Sequence, residues 1–251
     1  MLMPLSTVFW LTMHKFQDQG IILSLRPHGE HGGIVSVLTE HHGRYAAYVH
    51  GARSTKMRSL LEPGVCVDVA WQAKEEQQMG HFELELLQSP LTAVFADALK
   101  LLALQSAVSL TDKTMPERQP HPAVYYGLKA LIDSFMQEDD IWPALYIYWE
   151  MGLLKELGFG IDLSKCVVTG AAEDLQYVSP KSGSAVSEAA AGVYKDRLLK
   201  IPDFLRGQPF TKDDIQTGLK LTGYFLQNRI FDNASLQMPE ARARLYQKFL
   251  G

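Results

Sequence analysis

The chain has 251 residues, of which 47% are hydrophobic and 21% charged, with a formal net charge of −4 and a pI near 6.1. That length supports one large or two ordinary domains, and with no run of about 18 apolar residues no membrane-spanning helix is expected. The acidic balance excludes the broad cationic field of a protein that coats nucleic acid, so any such contact must be local. Cys66 and Cys166 lie too far apart for a disulfide framework, which points to a reducing cytoplasm. Residues 1–14 begin with thirteen apolar and uncharged positions but lack a basic leader and a small-residue cleavage site. They are expected to be a loosely held extension and not a secretory signal, with Met3 and Met13 as alternative starts.

From residue 15 to about 90, apolar residues recur mainly at every second position, the period of a half-buried strand. The sets are Ile21, Leu23 and Leu25; Ile34 to Leu38; Tyr45, Ala47 and Val49; Val65, Val67, Val69 and Trp71; and Phe82, Leu84 and Leu86. Turn signals separate them at Pro27-His28-Gly29, His31-Gly32-Gly33, His42-Gly43 and Glu62-Pro63-Gly64. Five strands too close together for crossover helices predict a small antiparallel barrel, a five-stranded OB-fold first and an SH3-like barrel second. In the third strand Tyr45 and Val49 point inward and Arg44 and Tyr48 outward.

After Pro90 the period becomes helical, and the chain as a whole reads as α+β. Leu91 to Leu110, rich in Ala and Leu without Gly or Pro, predicts one long buried helix. Pro122 opens a second helix to about Gln137. A third spans Ile141 to Leu157, with Trp142, Tyr146 and Trp149 at core spacing, and ends at Gly158 and Gly160. Thr211 caps a helix running to about Ile230, with Asp213 and Asp214 in its first turn, and a last helix from Pro239 to Leu250 places Arg242, Arg244 and Lys248 on its polar side. Between these lies a polar, turn-rich stretch at about 161–191, an insert of the kind that needs a staple such as a metal.

Chemistry concentrates between Glu40 and Glu62, where no acidic residue occurs. Arg44, Arg53, Lys56 and Arg58 could neutralise phosphates, while Tyr48 and His50 could stack or pair with bases. The alternatives are a solvated basic loop and, for Tyr48, packing against a neighbouring element. His28, His31, His41 and His42 lack the paired carboxylates of a metal cluster and read as solvated loop residues. Lys129, Arg197 and Arg206 are candidate anchors for an acidic partner tail. No P-loop, no Gly-x-Ser-x-Gly elbow and no paired carboxylates at ligand spacing occur, and Cys166 has no nearby His to activate it. No enzymatic activity and no cofactor are expected.

Several segments resemble the bacterial RecO family, the recombination mediators of DNA repair. They are Gly20-Ile21-Ile22-Leu23, Arg26-Pro27-His28-Gly29-Glu30, Leu38-Thr39, His42-Gly43-Arg44, His50-Gly51-Ala52-Arg53, Leu61-Glu62-Pro63-Gly64 and the run from Glu156-Leu157-Gly158 through Ser164-Lys165-Cys166. The similarity runs from about Phe16 to the end. It implies an OB-fold over 15–90, then a helical domain over 91–251 with a zinc-ribbon-like insert. It also implies binding of single- and double-stranded DNA, strand annealing, and work with RecR and the single-stranded-DNA-binding protein SSB, through its C-terminal tail, to load RecA. Zinc-bearing members carry Cys-x-x-Cys twice across the insert, where this chain has Cys166, Thr169, Ser187 and Ala190. The insert is therefore expected to hold its shape without metal, the alternative being Cys166 with Asp162 or Glu173. The competing functional reading is a protein-interaction scaffold whose barrel binds a peptide or subunit, with minor DNA contact.

Overall fold

The computed structural model describes residues 13–250, so the expected extension lies outside it except for Met13 and His14, and His14 already opens the first strand. Five strands, β1 (His14–His28), β2 (Gly32–Thr39), β3 (Gly43–Val49), β4 (Cys66–Ala73) and β5 (His81–Gln88), close into a barrel in the order β1-β2-β3-β5-β4. All neighbours are antiparallel except β3 and β5, which meet in parallel through one pair, Tyr48 and His81. A single-turn helix, α1 (Thr55–Arg58), sits between β3 and β4 with Ser54 as its N-cap.

β3 has the predicted alternation: Tyr45, Ala47 and Val49 are buried, while Arg44, Ala46 and Tyr48 are only partly covered. β1 breaks the rule, because Ile21, Ile22 and Leu23 are 0%, 0% and 2% exposed in succession. Ile22 faces the barrel core, while Ile21 and Leu23 join Leu38 and Cys66 in the core of the helical region. A register shift between Ile22 and Ser24 accompanies the change of face. The barrel is thus half-wrapped: one outer flank is interior to the molecule.

The single helix expected from Leu91 is two, α2 (Leu91–Phe95) and α3 (Ala98–Thr114). Asp97 causes the break, its carboxylate accepting from the amides of Leu99 (2.8 Å) and Lys100 (3.2 Å) as an N-cap. α4 (Pro122–Phe135) and α5 (Trp142–Glu156) follow as expected, with Trp142, Tyr146 and Trp149 buried.

The stretch predicted to be an irregular insert carries β6 (Leu175–Val178), β7 (Ala185–Ser187) and α6 (Glu188–Ala191), and β8 (Leu199–Lys200), beyond its expected end, completes a sheet in the order β7-β6-β8. It is no free-standing ribbon: Cys166, Leu175, Val178, Ala185, Val186 and Ile201 share the helical core. Thr211 and Asp214 form a capping box on α7 (Lys212–Phe225), which runs into a π-helical turn, Leu226–Phe231, before α8 (Glu240–Leu250).

The last helix departs from expectation at one residue. Arg242 is not on the polar side but buried, with Nε and Nη2 on the two carboxylate oxygens of fully buried Glu150 in α5. Nη2 also donates to Leu219 O (2.7 Å), and Thr222 donates its hydroxyl to Glu150, so α5, α7 and α8 meet at one satisfied ion pair.

Candidate nucleic-acid interface

On the outer face of the barrel, cross-strand register aligns Arg26 (β1), Ile34 (β2), Tyr48 (β3), His81 (β5) and Gln72 (β4). Cross-strand partners point to the same face, so this row is a shelf. Tyr48 is its centre, with His50 edge-on at 4.7 Å, His28 at 6.1 Å, and His50 in turn 6.1 Å from His81. The Tyr48 ring lies over Gly32, where a Cβ would sit 1.8 Å from its hydroxyl. Only glycine lets the ring lie flat there.

One step along the strands the face is closed. Ser24 and Ser36 donate to the two oxygens of Asp112 at 2.8 and 2.6 Å, pinning the end of α3 across β1 and β2. Arg44, predicted to contact DNA, lies in this junction: Nε donates to Met115 O at 2.9 Å, and the guanidinium meets Asp112 at 3.5 Å and Glu117 at 3.3 Å. It does point out of the barrel, but onto the helical region. Gly43, at φ 79, allows the same approach, since a Cβ there would lie 2.0 Å from Gln119 O.

The rest of the basic window is open. Arg53, Lys56 and Arg58 are exposed, and among the described residues none of the three forms an ion pair. Arg53 keeps one guanidinium nitrogen on Glu30 O (3.0 Å), tying the β1–β2 turn to the loop before α1. With Arg58 it lines a cleft of about 410 Å³ that also includes Leu25, Leu61 and Pro63. Arg26 was not singled out from sequence; it is exposed and shares Tyr48's row. Its sequence signals are its place just before the Pro27-His28-Gly29 turn and in the RecO-like segment Arg26-Pro27-His28-Gly29-Glu30.

Along β4 and β5 the same outer face turns acidic beyond Gln72 and His81. Asp68 and Glu85 are direct cross-strand partners and Glu83 follows on the same strand, around a cleft of about 570 Å³ that includes Asp18 and Glu40. Like charges in that position repel each other and any phosphate, which leaves the Tyr48 side as the anion-tolerant part.

His41 and His42 lie in the turn between β2 and β3 as expected, His41 exposed and His42 half-buried, but both are anchored. Both turn Nδ1 to Asp18, at 3.1 and 2.7 Å, and His42 stacks on Phe16 at 3.9 Å. Asp18, Glu40 and His41 bring ligand atoms within 4.8 Å of one another, but Asp18 is filled by these bonds and Glu40 accepts the Tyr126 hydroxyl of α4. Burial alone would raise the Asp18 pKa; the hydrogen bonds from His42 and His41 outweigh it and hold the carboxyl below 3.8. The bond to Asp18 likewise raises His41 above 6.5. The His41 contribution is therefore complete below 6.5 and fades as pH rises through the raised value, and that of Asp18 fades as pH falls through its lowered one. In Asp18→Asn, the His41 ring should titrate closer to 6.5 by NMR; an unmoved midpoint would rule the pairing out.

In the helical region, Lys129 is held by Asp133 (2.6 Å) and Gln88 (2.8 Å), and Arg206 by Asp203, so neither is a free anchor. Arg197 is exposed, close in sequence to exposed Val193 and Tyr194, and among the described residues has no ion-pair partner.

Residues 13–90 match the family Recombination protein O N terminal and residues 96–236 match Recombination protein O C terminal. The chain belongs to the RecO family. It is similar to the DNA repair protein RecO of Rhodospirillum centenum, at 42% identity over 94% of both chains. Against the RecO of Caulobacter vibrioides NA1000 the identity is 42%, over 93% of this chain and 97% of that one, and against that of Cereibacter sphaeroides KD131 it is 43%, over 94% and 98%. The resemblance to RecO in the short motifs therefore extends through both domains.

The knuckle where zinc-bearing RecO proteins place thiols does not fit the metal here. Ser187 donates its amide (3.4 Å) and hydroxyl (3.5 Å) to Cys166 Sγ, and Ala190 offers only a methyl. One thiol and two hydroxyls do not make a tetrahedral structural set. Burial would raise the Cys166 pKa, but hydrogen bonds from Thr169 and Ser187 prevail and bring it to about 6. The thiol thus serves as the hydrogen-bond acceptor that joins the two turns. Asp162, the alternative ligand, accepts the Ser164 amide at 2.9 Å.

Proposed function

We propose that this RecO-family chain is a non-enzymatic, cytoplasmic mediator of recombination. Its barrel works as an OB-fold that binds single- and double-stranded DNA, and it anneals complementary strands and acts with RecR and SSB to load RecA. The observation that carries the reading is the group of exposed cations Arg53, Lys56 and Arg58, without ion pairs among the described residues, on the segment that follows the strand of Tyr48, in a chain whose family is one of DNA repair. Cations there lower the repulsion between two strands and release counterions, while aromatic faces accept unpaired bases whatever their sequence. No covalent step is needed. The barrel order β1-β2-β3-β5-β4 supports the OB reading, in which the β2–β3 face takes oligonucleotides. Arg197 beside exposed Val193 and Tyr194 suits an acidic, apolar C-terminal tail of the SSB kind. Among the described residues no helix is long and apolar enough to cross a membrane.

The test is strand annealing by the purified protein with and without SSB. Annealing above background, retained when SSB coats the strands, is expected. Binding to the SSB tail without any acceleration of annealing would favour the scaffold reading.

A further inference from the structure

We propose that Arg118, carried by the connection between α3 and α4, is a positioning residue for nucleic-acid binding: it clasps the seam between β3 and β5 and holds the β4–β5 hairpin beside Tyr48. The inference rests on the DNA-binding reading above and adds a residue outside the basic window.

The seam is the weak place in the barrel. β3 and β5 share one ladder pair, and Tyr48 N donates to Gly80 O at 3.1 Å. Before that pair, the edge of β3 that faces away from β2 has no strand beside it among the described residues. Residues 117 and 118 fill the gap: Glu117 bridges Arg44 in parallel, and Arg118 N donates to Arg44 O at 2.8 Å. From there the Arg118 guanidinium crosses the seam. It lies 5.1 Å from the Tyr45 ring and 5.9 Å from that of Trp71, and donates to the carbonyls of Glu76 and, at 2.7 Å, Gln78 in the hairpin.

Three features mark this as a clasp. The two donors reach two carbonyls of one turn while the plane rests on aromatic rings, which a guanidinium can do and an ammonium cannot. The backbone at Arg118 has φ 59, a conformation that a side chain other than glycine keeps only when its surroundings over-determine it. Both hydrogen-bonding ends face carbonyls, so the charge is turned from any phosphate. The hairpin it holds leads straight into Gly80 and His81, the partners of Tyr48, so the shelf inherits its position from the helical domain.

The test compares wild type, Arg118→Ala and Arg118→Lys, with Arg53→Ala as the direct-contact control. The readouts are single-stranded oligonucleotide affinity over a salt series and amide hydrogen exchange of residues 74–80 and Tyr48. Both Arg118 variants should speed exchange there and weaken binding about fivefold, as lost preorganisation does, with an unchanged salt slope. Arg53→Ala should instead reduce the slope by about 0.7, the share of one phosphate on a single strand. If Arg118→Ala fails to fold, the lysine variant decides. Full affinity in Arg118→Lys, a reduced slope, or unaltered hairpin exchange would each overturn the proposal. A wild-type protein that binds no oligonucleotide would instead refute the functional reading, with the exchange data still reporting whether Arg118 holds the hairpin.

Discussion

Arg242→Ala should destabilise the protein by about 3–5 kcal/mol, because it leaves the Glu150 carboxylate buried without its partner. The pair is 3% and 0% exposed, so solvent cannot take over the lost bonds. The Glu150 charge keeps Arg242 protonated against the burial that opposes it. Urea unfolding followed by circular dichroism gives the measurement. Replacing both residues by apolar ones of similar volume should recover much of the loss, since neither charge is then stranded. A single variant less than about 1 kcal/mol below wild type, or a double variant no better than the single, would contradict this account. The effect reaches beyond α8, because α8 packs on α3, and α3 carries the Asp112 that grips the barrel.

Arg53→Ala, Lys56→Ala and Arg58→Ala combined should weaken oligonucleotide binding across all sequences. They should also flatten its dependence on salt by up to about 2, from about 0.7 for each single-strand phosphate contact. Stability should change little, because these side chains are exposed and without ion pairs among the described residues. Arg44→Ala should do the reverse: its bonds to Met115, Asp112 and Glu117 lie between barrel and helices, so it lowers the melting temperature and leaves the slope intact. A triple variant with the parental slope would remove the window from the mechanism. A flattened slope in Arg44→Ala would return that residue to the contact surface.

Much of this architecture is local and was legible. The alternation at Tyr45, Ala47 and Val49 survives because one face of β3 is core and the other is not. Thr211 and Asp214 make their capping box with groups three residues apart, needing nothing from the rest of the chain. Trp142, Tyr146 and Trp149 pack inward because their spacing puts them on one side of α5. The break before α3 was equally present in the sequence, as an Asp two residues before Leu99, and only the uniform Ala and Leu content hid it.

Charged residues behaved differently. Arg44, Arg53, Lys56 and Arg58 look alike in one window, yet Arg44 is an internal fastening and the other three are not. The partners of Arg44 come from positions 112–117, some seventy residues on, and no periodicity reports a pairing at that separation. Arg242, paired with Glu150 at a separation of 92 residues, was misjudged for the same reason, and Asp18 with His41 and His42 is the same lesson across twenty-odd residues. Lys129 differs, because Asp133 lies four residues on and that pairing was open to the sequence.

The sequence by itself determined the α+β order, the five strands, most helix limits and the family, since each depends on short-range pattern or on motifs kept in line. Only the tertiary structure decided which cations remain available and that β1 is buried on two sides. It also decided that a loop from the helical domain closes the barrel seam. A charge acquires its role from whichever group folding brings within about 4 Å, and for Arg44, Arg242 and Asp18 those groups are remote in sequence.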